Sequence, residues 1–181
     1  MPHPIEMISK KLELLMALTD HLEGINPDTT PGCPYDLRDQ VFRGRVVFGE
    51  ETKPPFIAIL EAPRQINPAG GGDSKLVQDE DWVLLIQGFV DENANHPSDE
   101  AYALLAWTQQ RMSRITQQKP NGGDGGLYPL EYRLGGKLGK IEYQIPIVRP
   151  GKDDVSATAY FYMPVTIKMV TDLANPFVTG D

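Results

Sequence analysis

The chain has 181 residues, of which 40% are hydrophobic and 23% charged, so it is long enough to bury a core within one domain. Its net charge of −8 argues against a nucleic-acid-binding face, because such faces need clustered lysine and arginine. Cys33 is the only cysteine, which excludes an internal disulfide, and no apolar run approaches the ~18 residues of a membrane-spanning helix.

The first predicted element is a helix over residues 4–24. Apolar residues recur there at steps of three, four and seven, which places them on one stripe. The stripe consists of Ile5, Ile8, Leu12, Leu15, Leu22 and Ile25. Gly24 and Pro27 end the helix near residue 23. We expect this helix to dock on a sheet, since its polar face is not basic, as a membrane-surface helix requires.

Two strands are predicted next, after a proline-rich connector. Residues 41–49 carry β-branched and aromatic side chains, and residues 56–60 are almost entirely apolar. The short turn between these strands predicts a hairpin.

A long loop is predicted over residues 63–79, where Gly70-Gly71-Gly72 stands. The acidic run Asp79-Glu80-Asp81 is typical of a solvated loop. The following strand, 82–90, is apolar on both faces in its first half, which predicts a central place in the sheet.

The second predicted helix has Ser98 as its N-cap and an apolar stripe that ends at Ile115. Pro120-Asn121-Gly122-Gly123 ends this helix. The Gly-rich residues 119–137 then predict a second long, mobile loop.

The last predicted strands alternate apolar and polar residues. The first covers 141–147, and Pro146 places it at an edge, a strand end or a bulge. The second covers 160–169 and has the longest strand pattern in the chain. Residues 174–181 are interpreted as a short tail.

This element order predicts an α+β fold in a single domain, 1–181, with the sheet and second helix within 41–173. A mostly antiparallel sheet of about five strands has two helices packed on one face, and long Gly-rich loops. The other face carries Tyr160 and Tyr162, and a large semi-apolar face of this kind is commonly a contact surface. The candidate interface residues are Tyr160, Tyr162, Trp107, Tyr128 and Tyr132.

The residue patterns indicate no catalytic, cofactor-binding or metal-binding site, and we predict that the chain is not an enzyme. The run from Gly70 to Lys75 lacks the Gly-Lys-Ser/Thr ending of a phosphate loop. The histidines at positions 3, 21 and 96 lack zinc-ligand spacing, and Cys33 beside prolines is typical of a structural residue. The start Met1-Pro2-His3-Pro4 lacks a basic region followed by an apolar run, so we expect no secretory signal.

The centre of the chain is similar to the tail terminator (tail completion) proteins of long-tailed bacteriophages. The similarity lies in residues 81–91 (DWVLLIQGFVD) followed by residues 95–102 (NHPSDEAY). Members of this family also begin with a helix and continue with a hairpin, which RVVFG at 45–49 and FIAIL at 56–60 resemble. They end with a strand and a closing segment, which VTIKMVTDL at 165–173 resembles.

The resemblance implies a structural virion protein that needs no cofactor. Terminators of this family form a ring, usually a homohexamer, that caps the tail tube, stops its polymerisation and meets the head connector. The implied partners are further copies of the chain, the tail tube protein and the head-tail connector or stopper protein. The implied location is the head-proximal end of the tail, with host cytoplasm during assembly. An acidic lumen lets DNA pass without specific binding, since it repels the phosphate backbone.

Two other classes of function stay open from the sequence. One is a head-completion or stopper protein, which also forms a ring but plugs the channel. The other is a small ligand-binding, regulatory or enzymatic domain, which a pocket with perturbed acids or a bound metal would indicate.

Overall fold

The computed structural model describes residues 8–63, 76–122, 125–151 and 158–178. These residues contain two α-helices, six β-strands and one 3₁₀ turn. The elements are α1 Lys10–Glu23, β1 Val41–Arg43, β2 Phe56–Glu61, β3 Val77–Asp91, α2 Asp99–Ser113, the 3₁₀ turn Tyr132–Leu134, β4 Lys140–Tyr143, β5 Ile147–Arg149 and β6 Thr158–Asp172.

The strands form one sheet in the order β1-β2-β3-β6-β4, and β5 pairs with β6 next to β4. Every pairing is antiparallel except that of β1 with β2. β3 and β6 have 15 residues each and pair from Val77 opposite Asp172 to Asp91 opposite Thr158. The predicted α+β fold with a mostly antiparallel sheet is confirmed, with six strands in the described part of the chain rather than about five.

A single core lies between the helices and one face of the sheet. Alternate residues of the long strands enter it, among them Trp82 of β3 and Phe161 of β6. Leu22 of α1 and Leu104 of α2 belong to the same core. Gly88 leaves the room that the Phe161 ring needs, because a Cβ there would lie 2.2 Å from the ring. Both helices therefore cover one face, and the central place predicted for the strand of Trp82 is confirmed.

The first helix begins at Lys10 rather than at residue 4. Ser9 caps it, since its hydroxyl accepts a hydrogen bond from the Leu12 N–H at 3.2 Å. Residues 4–7 of the predicted helix lie outside the described residues. The predicted end near residue 23 is confirmed by the cap at Gly24.

The predicted stripe of the first helix is confirmed at Leu22 and Ile25, which are buried in the core, and is wrong in the first half of the helix. Leu12 and Leu15 are only half-buried, whereas Leu14 and Leu18 are buried together with Leu22. The prediction failed because apolar residues occupy most of the circumference here, so spacing alone does not decide which side faces the core.

The predicted hairpin between 41–49 and 56–60 is also wrong. Only the first three residues of the earlier segment form a strand, β1, and it pairs with β2 in parallel. Gly44 ends β1 with a φ of +66°, a conformation that suits glycine. The residues that follow form a crossover segment, 44–55, whose Phe48 packs against the sheet. Burial of that ring takes the place of further strand pairing.

β3 begins at Val77, so the predicted loop 63–79 ends inside a strand. The acidic run Asp79-Glu80-Asp81, which we expected in a loop, pairs with β6 instead. Glu80 accepts hydrogen bonds from the Lys11 ammonium at 2.6 Å and the Thr171 hydroxyl at 2.7 Å, so two partners stabilise its charge within the strand. Residues 64–75 of the predicted loop lie outside the described residues.

The strand predicted over 141–147 is two strands, β4 and β5, with Pro146 between them. Proline has no N–H for the ladder, so the pairing with β6 is interrupted there. The prediction that Pro146 marks an edge or a strand end is confirmed, because both strands lie on the outer side of β6.

The second helix ends earlier than Pro120-Asn121-Gly122-Gly123 predicts. α2 stops at Ser113, and Ser98 stands at the predicted N-cap position without a side-chain hydrogen bond. Beyond the helix, the carbonyls of Ile115 and Gln117 accept hydrogen bonds from the segment that follows. The Leu127 N–H donates to the Gln117 carbonyl at 2.8 Å.

The segment 119–137, predicted as a long, mobile loop, is a loop with one 3₁₀ turn over its described part, and it is tied to the core near its end. The Arg133 N–H donates to the carbonyl of Ile115 at 2.8 Å, and Leu134 is buried in the core, as is Leu138 just after the segment. Residues 123–124 lie outside the described residues.

The predicted tail, 174–181, is bound to the start of the first helix. The Lys10 N–H donates to the Pro176 carbonyl at 3.1 Å, and the Val178 N–H donates to the Ile8 carbonyl at 2.9 Å. Residues 179–181 lie outside the described residues.

A buried polar cluster joins α1, α2 and the segment after α2. The His21 Nε2 lies 2.8 Å from the Arg111 carbonyl, and the Arg111 Nε donates to the His21 carbonyl at 2.7 Å. The Glu131 carboxylate lies 3.3 Å from the Arg111 guanidinium and 3.4 Å from that of Arg114. Through Glu131, this cluster ties the segment 119–137 to both helices.

The cluster makes the stability of the fold sensitive to mild acid. Burial, together with the positive charge of Arg111 and Arg114, lowers the pKa of His21 from 6.5 to about 4, although Glu131 lies 3.7 Å away. The unfolded chain therefore binds more protons between these values, so stability falls as the pH falls. We expect a loss of about 2 kcal/mol in the free energy of unfolding between pH 7 and pH 5.

Urea unfolding at several pH values measures this effect. The variant His21→Gln is expected to lose the slope between pH 5 and pH 7, whereas a variant of the exposed His96, His96→Gln, keeps it. An unchanged slope in His21→Gln would contradict the assignment to His21.

Candidate functional site: the uncovered sheet face

The face of the sheet that turns away from the helices is the candidate surface, and we call it the second face. It carries the residues that alternate with the core, such as Leu85 of β3 and Tyr162 of β6, which are half-buried. Their side chains lie on a common face because paired residues in neighbouring strands point the same way.

An aromatic row crosses one end of the second face. It consists of Phe42, Phe48, Phe56, Phe89 and Tyr160. The Phe48 ring lies 4.4 Å from that of Phe56, and the Phe56 ring lies 4.7 Å from that of Phe89. The Arg45 guanidinium lies over the ring of Phe48, 5.0 Å from its centre, and also pairs with Glu51 at 2.6 Å. The crossover segment thus covers part of the face and leaves the remainder open.

Phe48 is expected to hold the crossover segment on the sheet. Phe48→Ala removes a half-buried ring that touches three others, so we expect a loss of about 2 kcal/mol in the free energy of unfolding. Hydrogen exchange at the β2 amides should accelerate, because the cover over Phe56 is lost. The control is Leu130→Ala, since Leu130 is 92% exposed and should change stability by less than about 0.5 kcal/mol. Equal losses in the two variants would contradict this role.

The opposite end of the second face is charged. The Lys168 ammonium lies 3.2 Å from Asp81 and 3.8 Å from Glu142, and Lys140 lies 2.8 Å from Glu142. The hydrogen bond from Lys140 lowers the pKa of the Glu142 carboxyl. The second face therefore has an apolar end and an end with paired charges.

A two-stranded ribbon extends beyond the rest of the sheet. It consists of residues 77–80 of β3 and residues 169–172 of β6, which pair only with each other in the described part of the chain. Apolar side chains are exposed on the ribbon, at Val77 and Val170, and on the residues next to its end, Leu76 and Leu173. Exposed apolar residues on a projecting ribbon are typical of a contact with another chain.

The five predicted interface residues do not form one surface. Tyr160 and Tyr162 lie on the second face, as the strand pattern predicted. Trp107 of α2 is half-buried against the core. Tyr128 lies under the Arg114 guanidinium, 4.7 Å from its ring centre, and Tyr132 lies beside Arg133. Only the first two thus belong to the candidate surface, and the phenylalanines of the aromatic row were not singled out from the sequence.

A groove of about 680 Å³ lies between the start of α1, the ribbon and residues 137–139. Two ion pairs line it, Lys137 with Glu13 at 2.9 Å and Lys168 with Asp81 at 3.2 Å. None of the described residues that line it is a histidine or a cysteine. The described residues also contain no group of three or more histidine, cysteine or acidic side chains arranged for a metal ion. No helix in the described ranges has the length and apolar character needed to cross a bilayer.

The fold and this surface define an α+β protein with one helix-covered face and one partly open face. No protein-family model matches the chain, and no curated protein is significantly similar to it.

Proposed function

We propose that this chain is a ring-forming structural protein of the tail terminator type, which caps the tail tube of a long-tailed bacteriophage. In this role it ends tube polymerisation and joins the tail to the head connector. The observation that carries the proposal is the second face, with its half-buried Tyr160 and Tyr162, on a sheet of the predicted class. A small protein leaves such a face partly open when another chain covers it in the assembly.

The projecting ribbon supports the same proposal. A subunit that caps a tube needs contacts with copies of itself, with the tube below and with the connector above. The second face presents half-buried apolar residues and the ribbon presents exposed ones, so one subunit has room for more than one partner.

The net charge of −8 supports a passive relation to DNA. Phosphate contacts from lysine and arginine dominate nucleic-acid affinity, so an acidic ring lumen repels the duplex and lets it slide.

The composition of purified virions tests the proposal. We expect quantitative mass spectrometry to find about six copies of the chain per particle, as one cyclic ring requires. We expect the chain to stay with the tails when heads and tails are separated. Absence from the particles would contradict a virion role, and retention by the heads would favour a stopper protein.

A further inference from the structure

Two incomplete edges lie at opposite ends of the sheet. At the β1 end, the crossover segment contains a β-prone run, Arg45-Val46-Val47-Phe48. This run follows β1 but does not itself form a strand. Val46 is 71% exposed and Val47 is 77% exposed. Within the described residues their N–H groups have no acceptor. The run thus has the composition of a strand without a strand to pair with.

The other incomplete edge is formed by β4 and β5. Both strands pair with β6 on one side, and no described strand pairs with their outer side. Ile145, between them, is 88% exposed, and Tyr143 and Ile147 are about 40% exposed. Exposed apolar edges of this kind pair with other chains unless they are protected.

The charges at the two edges are complementary. Glu50 follows the crossover run and Arg149 ends β5, and both are exposed. Neither has an ion partner among the described residues. Arg149 lies opposite Tyr160, which lies opposite Phe89, the residue that Phe48 covers from the β1 side. Arg149 at one edge and Phe48, two residues before Glu50, at the other therefore lie at the same level of the sheet.

We infer that copies of this chain associate head to tail, with residues 45–50 of one copy against the β4–β5 edge of the next. Val46 and Val47 contact Ile145 and Ile147 there, and Glu50 faces Arg149. Pro146 and Pro150 prevent a long backbone ladder, so side chains carry most of the contact. Because the contact joins different edges, it is heterologous and closes into a ring when the rotation allows. This inference deepens the proposed function and rests on the ring that it requires.

Two single substitutions test the contact on the full-length chain. Val47→Asp and Ile145→Asp each place a charge at one edge, and both positions are exposed, so the melting temperature should stay close to that of the wild type. Light scattering at millimolar concentration is expected to show an oligomer for the wild type and a monomer for each variant. The control is Leu130→Asp, the same change at a 92% exposed position outside both edges, which should keep the oligomer.

Mixing the two variants distinguishes a head-to-tail contact from a two-fold one. Each variant keeps one intact edge, so an equimolar mixture is expected to form a 1:1 dimer and nothing larger. A two-fold contact between identical edges would instead leave one of the two variants associated with itself before mixing, because that variant keeps the edge in use. A monomeric wild type, variants that stay oligomeric, or a mixture without a dimer would each overturn the inference.

A charge exchange tests the pairing of Glu50 with Arg149. Glu50→Arg should weaken association about tenfold, because repulsion replaces attraction. Adding Arg149→Glu in the same chain should restore the affinity, and failure to restore it would remove this pair from the contact.

Tail assembly distinguishes the proposed contact from the proposed function. If tails are overlong without the gene but the variants stay oligomeric, the contact alone is overturned. If tails are normal without the gene, the proposed function alone is overturned.

Discussion

Trp82→Ala is expected to lower the free energy of unfolding by about 3–5 kcal/mol, the largest effect of any substitution considered for this chain. Trp82 is 1% exposed and lies in the central strand β3. Its indole N–H donates to the Glu61 carboxylate at 3.2 Å, and the Lys11 ammonium lies 5.2 Å from the ring centre. Alanine leaves a cavity in the middle of the core and removes the hydrogen bond to Glu61.

The second tryptophan provides the matched control. Trp107 lies on α2 and is half-buried, so Trp107→Ala should cost about half as much or less. Urea unfolding followed by circular dichroism measures both variants without relying on tryptophan fluorescence. Equal losses would contradict the burial that distinguishes the two residues.

Glu131→Gln is expected to lower the free energy of unfolding by about 3 kcal/mol, because it leaves the buried Arg111 without its counter-ion. The Arg111 side chain is 9% exposed, and Glu131 pairs with it and with Arg114. Hydrogen exchange should accelerate in the segment that Glu131 anchors, including the Arg133 amide that donates to Ile115. The loss should persist in high salt, since buried pairs are weakly screened.

An exposed ion pair of the same chemistry serves as the control. Glu142 pairs with Lys140 at 2.8 Å, but both side chains face water. Glu142→Gln should leave the melting temperature nearly unchanged, because solvent already screens that charge. A loss in Glu131→Gln no larger than that of the control would show that the cluster does not anchor the segment.

The sequence predicts those parts of the fold in which periodicity and burial agree. The strand of Trp82 is apolar on both faces, which predicts a central strand, and β3 is central although its second face is only half-buried. The long pattern of 160–169 predicts the alternation that separates Phe161, in the core, from Tyr160 and Tyr162 on the second face.

Elements decided by tertiary contacts were not predictable from local patterns. Residues 45–48 have the composition of a strand. However, Gly44 turns the chain, and the Phe48 ring packs on Phe56 of the sheet. The parallel pairing of β1 follows from that crossover and has no local signal. Likewise, the Gly-rich composition of 119–137 gives no sign that Leu134, within the segment, and Leu138, just after it, are buried in the core.

The candidate site was predictable only in part for the same reason. Alternation along one strand places Tyr160 and Tyr162, whereas the aromatic row depends on register between strands. Phe56 lies opposite Phe89, and Phe89 lies opposite Tyr160. These pairings require the whole sheet, so no local motif indicates the row.

The most direct test of the proposed function is the tail length of a phage that lacks this gene. Negative-stain electron microscopy of lysates should show overlong or unattached tails beside filled heads, and wild-type protein from a plasmid should restore normal virions. The Val47→Asp variant should fail to restore them, whereas Leu130→Asp should succeed. Normal-length free tails beside heads that have lost their DNA would indicate a stopper protein instead. Normal virions without the gene would contradict a structural role of any kind.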